Sequence, residues 1–278
     1  MTPETKEMST LNMITHRNRS SSRRGSRWTS ALALCGGALL LLLPTANAAR
    51  ARASDSGAAK TKTRVAYPTT VTMTNAAIAH WAPVVSDVSA HASPSHASPV
   101  ITDIKTVTGD GTQNIVLILK QMNVSPKQTW FDVRLAILPN NSTGWIPRTA
   151  LGNIYVVTTH LYIDRETFTA TLKRDGIPIF TTRVGVGEPY WPTPAGQYYV
   201  RDKLTDFDNP FYGPLAFGTS GRSAVLTEWP GGGFIGVHGT NEPNLIPGAI
   251  SHGCVRMLNS AVLRLAKLMS VGTPVTIT

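Results

Sequence analysis

The sequence is poor in cysteine, in charged residues and in long apolar runs. Two of its 278 residues are cysteine, which excludes the disulfide-dense class of small secreted scaffolds. Charged residues make up 15% of the chain, and this length and composition exclude a collagen-like chain, a coiled coil and a multi-span membrane protein. The 42% of hydrophobic residues is still enough for a buried core in one or two domains.

The formal net charge of +10 is distributed unevenly along the chain. Residues 1–48 hold six basic and two acidic residues, and residues 49–99 hold five basic and two acidic residues. Residues 100–278 hold fifteen basic and twelve acidic residues, so this part is close to neutral. Because nucleic-acid binding needs a basic folded surface, we expect no nucleic-acid partner.

The N-terminal segment has the pattern of a secretory signal peptide at residues 1–48. A basic stretch at 23–27 precedes the apolar run Ala31–Leu43, and an Ala-Asn-Ala cleavage sequence ends at Ala48. The run is shorter than the ~20 residues that span a bilayer, so no membrane span is expected after cleavage. The protein is therefore predicted to be exported, to the extracellular side of the cytoplasmic membrane, the cell wall or the periplasm. The choice between general secretion and twin-arginine export stays open.

Residues 49–97 are rich in Ala, Ser, Thr and Pro, and long apolar side chains do not recur there with any period. Such a composition predicts a disordered linker. Three histidines fall in it, His80, His91 and His96, and their loose spacing favours solvated side chains over metal ligands.

From about Asp103, short β-branched and aromatic runs alternate with Gly, Pro and Asn, which predicts a mainly β fold. One helix is predicted from Ser260 to Met269, with Asn259 as its N-cap. A hairpin is predicted at Arg174-Asp175-Gly176. The predicted strands are Ile115–Leu119, Trp130–Leu135, Ile154–Thr158, Leu161–Asp164, Thr167–Lys173, Ile177–Val184, Gly196–Arg201, Ala224–Glu228, Phe234–His238 and Pro274–Thr278.

The span 98–151 has the size of a small β-barrel-like domain. Its end, WFDVRLAILPNNSTGWIPRTAL, resembles bacterial Src-homology-3-like domains. The alternative is a set of extra strands packed on the main domain. Either interpretation places a domain boundary at Gly152 or Asn153.

Removal of the leader would leave Cys254 as the one cysteine of the mature chain. Such a residue pairs between chains, is buried and inert, or is a working thiol. Its surroundings, SHGCVRM at 251–257, place a histidine and an arginine beside it, and His238 lies sixteen residues upstream. Histidine can remove a thiol proton, and arginine favours a thiolate or holds a substrate carboxylate.

These strings identify a family. HGTN at 238–241, SHGCVRM at 251–257, PTPAGQYYV at 192–200 and VGTPVTI at 271–277 resemble the L,D-transpeptidase catalytic domain of the YkuD type over about residues 153–278. The resemblance implies a β-sandwich-like domain at 152–278 with one C-terminal helix, acting in cell-wall biogenesis and cell shape. The implied partners are peptidoglycan stem peptides, as donor and as acceptor. Cys254 would attack the third-residue carbonyl of a tetrapeptide stem, release D-Ala and pass the thioester to an amine of another stem.

The resemblance also implies catalytic roles for residues around Cys254. His238 matches the base, and the backbone carbonyl of Gly239 matches the group that orients its imidazole. The N–H groups of Gly253 and Cys254 match an oxyanion hole. His252 matches a second histidine of the site, either supporting charge or fixing the loop.

The predicted substrate-binding residues are Arg256, Ser251, Tyr212 and Trp191. Arg256 would hold substrate or pair with an acid, and Ser251 would chiefly brace the loop. No cofactor and no metal are expected, carbapenem β-lactams are the expected inhibitors, and a monomer is expected.

Three other functions stay open from the sequence. The protein could be an L,D-carboxypeptidase or another cell-wall cysteine hydrolase, if water replaces the acceptor amine. It could be a wall-binding module without activity. A zinc site that uses His238, His252 and Cys254 is the third alternative, although a third or fourth ligand is not evident.

Overall fold

Strands dominate the chain, as the alternating pattern predicts. The computed structural model describes residues 66–205, 209–227 and 233–278. The predicted signal peptide at 1–48 and the first part of the predicted linker lie outside these residues. Within the described ranges, no helix has both the length and the apolar character needed to cross a membrane.

The first sheet is built from the strands that precede residue 158. Its order is β4-β3-β7-β6-β5-β2-β8, and β1 pairs separately with β5, so the long strand β5 pairs with three others. Its strands are β1 Thr69–Thr72, β2 Ala79–Pro83, β3 Val88–His91, β4 Val100–Ile104, β5 Ile115–Ser125, β6 Gln128–Arg134, β7 Thr143–Pro147 and β8 Tyr155–Val157.

The predicted linker at 49–97 is wrong over its described part. Three strands, β1 to β3, form within 66–97 and belong to the first sheet. Their inward side chains include Ala79, Ala82 and Ala90, which are 2%, 0% and 0% exposed. Alanine packs between close strands without creating the pattern of long apolar residues by which strands are recognised in a sequence. The boundary predicted at 152 also moves, because β8 still pairs with β2.

The second sheet is built from the strands that follow residue 158. Its order is β11-β10-β9-β18-β13-β14-β15-β17-β12-β16. One α-helix, α1, spans Asn259–Leu268 and packs on it through Val262 and Leu265. The strands are β9 Thr159–Asp164, β10 Thr169–Arg174, β11 Ile177–Arg183, β12 Gly185–Gly187, β13 Gly196–Thr205, β14 Leu215–Arg222, β15 Phe234–His238, β16 Gly248–Ser251, β17 Val255–Arg256 and β18 Pro274–Ile277.

Two local predictions in the second sheet need correction. The predicted strand Ala224–Glu228 does not form in its described part. The strand lies earlier, at β14, where two glycines lower the β-propensity of the sequence. Asn259 is the first residue of α1, with Leu258 at the N-cap position. The Asn259 side chain instead accepts a hydrogen bond from the N–H of Thr240, at 2.8 Å.

The hairpin between β10 and β11 forms at the predicted turn. Asp175 and Gly176 both have positive φ, at 51° and 79°. Two successive positive φ angles are what a tight two-residue hairpin turn requires, and the Asp-Gly pair tolerates them.

The two sheets are joined through strand β13. Tyr198 packs into the core of the second sheet, while the next residue, Tyr199, is buried against Ala79 and Leu117 of the first sheet. The Tyr199 hydroxyl donates to the carbonyl of Ile115 at 3.0 Å. Residues Ala66–Thr278 therefore belong to one compact unit.

Candidate active site

A cleft opens where β15 and β17 lie side by side. The two strands are parallel, with Val237 opposite Val255 and His238 opposite Arg256, so the end of β15 meets the start of β17. Cys254 directly precedes β17. The cleft is lined by aromatic, small and ionisable residues: Phe211, Tyr212, Ser223, Leu226, Gly233, Phe234, Ile235, His238, Ser251, His252, Cys254 and Arg256.

His238 is held in one orientation and one tautomer. Its Nδ1 lies 2.6 Å from the carbonyl oxygen of Gly239, and because a carbonyl only accepts, Nδ1 carries the proton. Nε2 is buried and has no hydrogen-bond partner among the described residues. Burial is the main cause that lowers the pKa of His238 to about 4; the Gly239 carbonyl opposes this shift, and the charge of Arg256 adds to it. The imidazole is therefore neutral at neutral pH, with the Nε2 lone pair available to accept a proton.

The Cys254 thiol is half-buried at the edge of the cleft. The backbone N–H of Gly236 donates to Sγ at 3.3 Å. Burial raises the pKa of the thiol, while the Gly236 N–H and the charge of Arg256 act to lower it. At neutral pH the pair is therefore a thiol and a neutral imidazole rather than a thiolate and an imidazolium.

Hydrogen bonds brace the loop that carries Cys254. The Ser251 hydroxyl donates to the Cys254 carbonyl at 2.6 Å and accepts from the Gly253 N–H at 3.1 Å. The buried Thr193 hydroxyl donates to the Gly253 carbonyl at 2.8 Å and accepts from the Gly187 N–H at 2.8 Å. Gly253 has a φ of 116°, a backbone conformation that favours glycine.

The brace bears on the roles predicted for Gly253 and Ser251. The Gly253 N–H, predicted for an oxyanion hole, is directed at Ser251 Oγ. The Cys254 N–H has no acceptor in the described part of the chain and is the better candidate donor. Ser251 was predicted to brace the loop and to lie at the substrate site. It is 1% exposed, and its hydrogen bonds are made within the loop.

Arg256 is a buried cation behind the cleft. It is 2% exposed, its Nη1 lies 3.0 Å from Glu242 Oε2, and its guanidinium carbon lies 4.3 Å from the ring centroid of Phe211. The Glu242 side chain is 42% exposed. Of the two roles open from the sequence, the structure has the acid pairing, and this pairing holds the positive charge beside the cleft.

The predicted aromatic residues border the two histidines. The Tyr212 ring meets His238 edge-on, with centroids 5.1 Å apart. The Trp191 ring lies 4.3 Å from that of His252. Tyr212 and His252 line the cleft, and Trp191 reaches it through His252.

Four residues of the site were missed by sequence reasoning: Gly236, Thr193, Glu242 and Phe211. Thr193 lies inside the PTPAGQYYV string, and Gly236 lies two residues before His238, so it shares the same face of β15. Glu242 and Phe211 gave no local signal, because their contacts with Arg256 arise only from the fold.

A zinc site finds no support in the geometry. Among residues 66–205, 209–227 and 233–278, no three His, Cys, Asp or Glu side chains are grouped closely enough to hold a metal ion.

Known proteins match this chain over the residues that form the second sheet. The family model of the L,D-transpeptidase catalytic domain, YkuD, matches residues 158–277. The chain is 31% identical to YkuD of Bacillus subtilis over 123 residues, which are 44% of this chain and 68% of that protein. It is 34% identical to YkuD of Bacillus licheniformis over 98 residues, 35% of this chain and 52% of that protein.

Among solved structures, the catalytic domain of the Enterococcus faecium L,D-transpeptidase is 25% identical, with a TM-score of 0.33. The match covers 43% of this chain and 96% of that domain. Bd1075 of Bdellovibrio bacteriovorus is 26% identical with a TM-score of 0.36, over 44% of this chain and 48% of that one. The chain thus spans about two thirds of the first curated relative and about half of the second.

Proposed function

Because the chain belongs to the YkuD family of L,D-transpeptidase catalytic domains, we propose that it is a peptidoglycan L,D-transpeptidase with Cys254 as nucleophile. One observation carries the proposal. Cys254 and His238 open into the same cleft, and the imidazole is neutral, with its Nε2 unpartnered among the described residues. A free basic nitrogen beside a thiol is what nucleophilic catalysis by cysteine requires.

The first half-reaction forms a thioester. His238 Nε2 takes the proton of Cys254 Sγ, and the sulfur attacks the carbonyl carbon of the third residue of a tetrapeptide stem. The carbon–nitrogen bond to the terminal D-Ala breaks, and the proton on Nε2 passes to the departing amine. The products are free D-Ala and an acyl group on Cys254.

The second half-reaction returns the enzyme to its first state. An amine of a second stem attacks the thioester carbonyl, and His238 removes a proton from that amine. Sulfur leaves and recovers the proton from Nε2, which yields a cross-linked dimer. Water in place of the amine would give a trimmed tripeptide, and the protein would then be an L,D-carboxypeptidase.

The tetrahedral intermediates carry a negative charge on oxygen. The Cys254 N–H is the donor available for it, because the Gly253 N–H is directed at Ser251. The buried guanidinium of Arg256 adds a positive field beside the cleft. The brace formed by Ser251 and Thr193 holds the donor and the nucleophile in one loop conformation.

The nucleophile is tested by acylation with a carbapenem. We expect intact-mass analysis of the purified protein to show one covalent adduct, and the Cys254→Ala variant to show none. Cys254 Sγ accepts one hydrogen bond, from the Gly236 N–H, so its removal should leave the melting temperature within a few degrees of wild type. The absence of an adduct on wild type, or an equal adduct on the variant, would contradict the proposal.

The reaction is tested with a disaccharide-tetrapeptide as sole substrate. A cross-linked dimer with release of D-Ala would establish transfer, whereas a tripeptide alone would establish hydrolysis. If a carbapenem acylates the wild-type protein but neither product forms from the tetrapeptide, a binding role would be favoured. Cys254→Ala is the matched control in each case.

Export is part of the proposal, since peptidoglycan lies outside the cytoplasmic membrane. The basic stretch, the apolar run Ala31–Leu43 and the cleavage sequence ending at Ala48 support it. Expression in a bacterial host should give a secreted or wall-associated product whose N-terminus begins at Ala49. A product that stays in the cytoplasm with residues 1–48 attached would contradict this part.

A further inference from the structure

A glycine occupies the middle of the strand that ends at the candidate base. Side chains alternate along β15, so Phe234, Gly236 and His238 share the face that borders the cleft. Val237 lies on the other face, in the core of the second sheet, and Ile235, which also lines the cleft, is 2% exposed. The cleft face of β15 thus carries an aromatic ring, then no side chain, then the imidazole.

Neither crowding nor backbone geometry explains glycine at 236. A Cβ built there would lie 3.6 Å from its nearest neighbour, the Phe217 carbonyl oxygen, which is ordinary van der Waals contact. Gly236 is also absent from the residues with positive φ. Gly187 and Gly218 differ, since a Cβ at either would lie 2.2 Å or 2.1 Å from another atom.

The space left at Gly236 adjoins both candidate reacting groups. The same Cβ position is 3.8 Å from Cys254 Sγ and 3.8 Å from His238 Cδ2. Cδ2 is bonded to Nε2, the nitrogen that would receive the thiol proton. A methyl group at this position would therefore contact both the sulfur and the ring carbon bonded to Nε2.

The backbone of Gly236 also touches the sulfur, since its N–H donates to Sγ at 3.3 Å. This donor is fixed by the strand before any reaction occurs. A fixed dipole aimed at an atom that becomes negative stabilises the charge without reorganisation. The same hydrogen bond acts to lower the pKa of the thiol.

We propose that Gly236 is a further catalytic residue: its N–H stabilises the Cys254 thiolate, and its missing side chain keeps the path from Sγ to His238 Nε2 open. The inference rests on the proposed function, since it needs Cys254 as nucleophile and His238 as base. In the step concerned, the proton moves from Sγ to Nε2, and the sulfur keeps the electron pair of the broken S–H bond. The resulting thiolate accepts the hydrogen bond that the Gly236 N–H donates.

The test is Gly236→Ala, with Gly109→Ala as the matched control. No atom lies within 4 Å of a Cβ at Gly109, so this control adds the same methyl group away from the site. For Gly236→Ala we expect an unchanged melting temperature and carbapenem acylation about 10²-fold slower at pH 7, the lower end of general-base effects. At a pH above the thiol pKa the thiolate forms without a base, so the difference should shrink to less than about 10-fold.

A second measurement separates a blocked proton path from a distorted loop. The pH dependence of Cys254 alkylation by iodoacetamide reports the thiol pKa, and Gly236→Ala keeps the N–H. We expect the same midpoint in wild type and variant, because the substitution leaves the hydrogen bond in place.

Several outcomes would overturn the inference. These are acylation of Gly236→Ala at the wild-type rate, a slowing by the same factor at every pH, a shifted alkylation midpoint, or failure to fold, which would contradict the room found at position 236. They are distinguishable from failure of the proposed function. In that case the wild-type protein itself would not be acylated at any pH.

Discussion

The two sheets differ in how many polar side chains they bury. Among the described residues, the first sheet and its loops bury three, His91, Thr108 and Asp132, while residues 159–278 bury thirteen. Burying a polar group costs free energy unless it is hydrogen-bonded. Buried polar groups are therefore expected where they hold a loop or take part in a chemical site. The first sheet is packed mainly by apolar side chains, whereas the second sheet carries the candidate active site.

Many of the buried polar groups in the second sheet fix the walls of the cleft. The Thr219 hydroxyl donates to the Ile235 carbonyl at 2.7 Å and so ties β14 to β15. Thr193 and Ser251 fix the loop of Cys254. In the first sheet, His91 Nδ1 lies 2.8 Å from the Ser98 carbonyl, which closes a loop far from Cys254 in the sequence. Several of the buried polar groups of the second sheet therefore hold the walls of the cleft in place.

The largest effect is expected for His238→Ala. Loss of the proposed base should slow carbapenem acylation at pH 7 by about 10²–10⁴-fold. In wild type, the pKa of about 4 keeps Nε2 unprotonated above pH ~5, so the rate should fall on acidification only as the pH approaches 4. Stopped-flow acylation between pH 3.5 and 10 measures both. A wild-type rate that falls with a midpoint near pH 6.5 would contradict a buried neutral imidazole.

A matched pair of phenylalanine substitutions compares the two sheets directly. Phe131 and Phe217 are 1% and 0% exposed, one in each sheet, and each change to alanine should cost about 3–5 kcal/mol of unfolding free energy. Phe217 lies opposite Val237 on β15, beside the site, so Phe217→Ala should also slow acylation per folded molecule. Phe131→Ala should leave that rate unchanged. Denaturant unfolding and acylation rates, measured below the melting transition, give both values.

The brace of the loop is tested by Thr193→Val. Valine keeps the shape but leaves the Gly187 N–H and the Gly253 carbonyl without the Thr193 hydroxyl, at a cost of about 1–3 kcal/mol. Because the lost bonds hold the loop of Cys254, acylation should slow as well. Thermal unfolding and acylation rates check the two effects. Thr108→Val, in the loop between β4 and β5 of the first sheet, is the control and should leave acylation at the wild-type rate.

The smallest effect is expected for Tyr199→Phe. The change removes the hydrogen bond to the Ile115 carbonyl and keeps the ring, so unfolding should become easier by about 0.5–1.5 kcal/mol. The acylation rate should stay at the wild-type value, since the ring faces the first sheet. A slowed acylation would show that the first sheet influences the site and would break the comparison.

Local patterns predicted the regular part of the fold. β15 was predicted with its observed bounds, because glycines precede an alternating run, and the Asp175-Gly176 turn was predicted from its residue types. β14 was missed because its glycines lower β-propensity, and β1 to β3 were missed because alanine gives little apolar signal. β17 has only two residues, which is too short for a sequence pattern, and it is defined by its parallel pairing with β15.

The site was predicted as strings rather than as contacts. The HGTN and SHGC strings placed His238 and Cys254 in one site, and the structure brings both to one cleft. The partner of Arg256 could not be predicted, because Glu242 lies fourteen residues away and only the fold joins them. Gly236 could have been predicted, since strand alternation places it on the same face as His238. It was missed because a glycine has no side chain for a pattern search to detect.

The residue at which the family match begins is not a suitable first residue for an expressed fragment. The family match starts at residue 158, yet the Trp81 ring of the first sheet lies so close to Gly272 that a Cβ there would be 2.0 Å from it. A fragment trimmed to the family match would leave this backbone and the Tyr199 ring facing water. Such a surface favours aggregation during expression, and a fragment that begins at Ala66 avoids it.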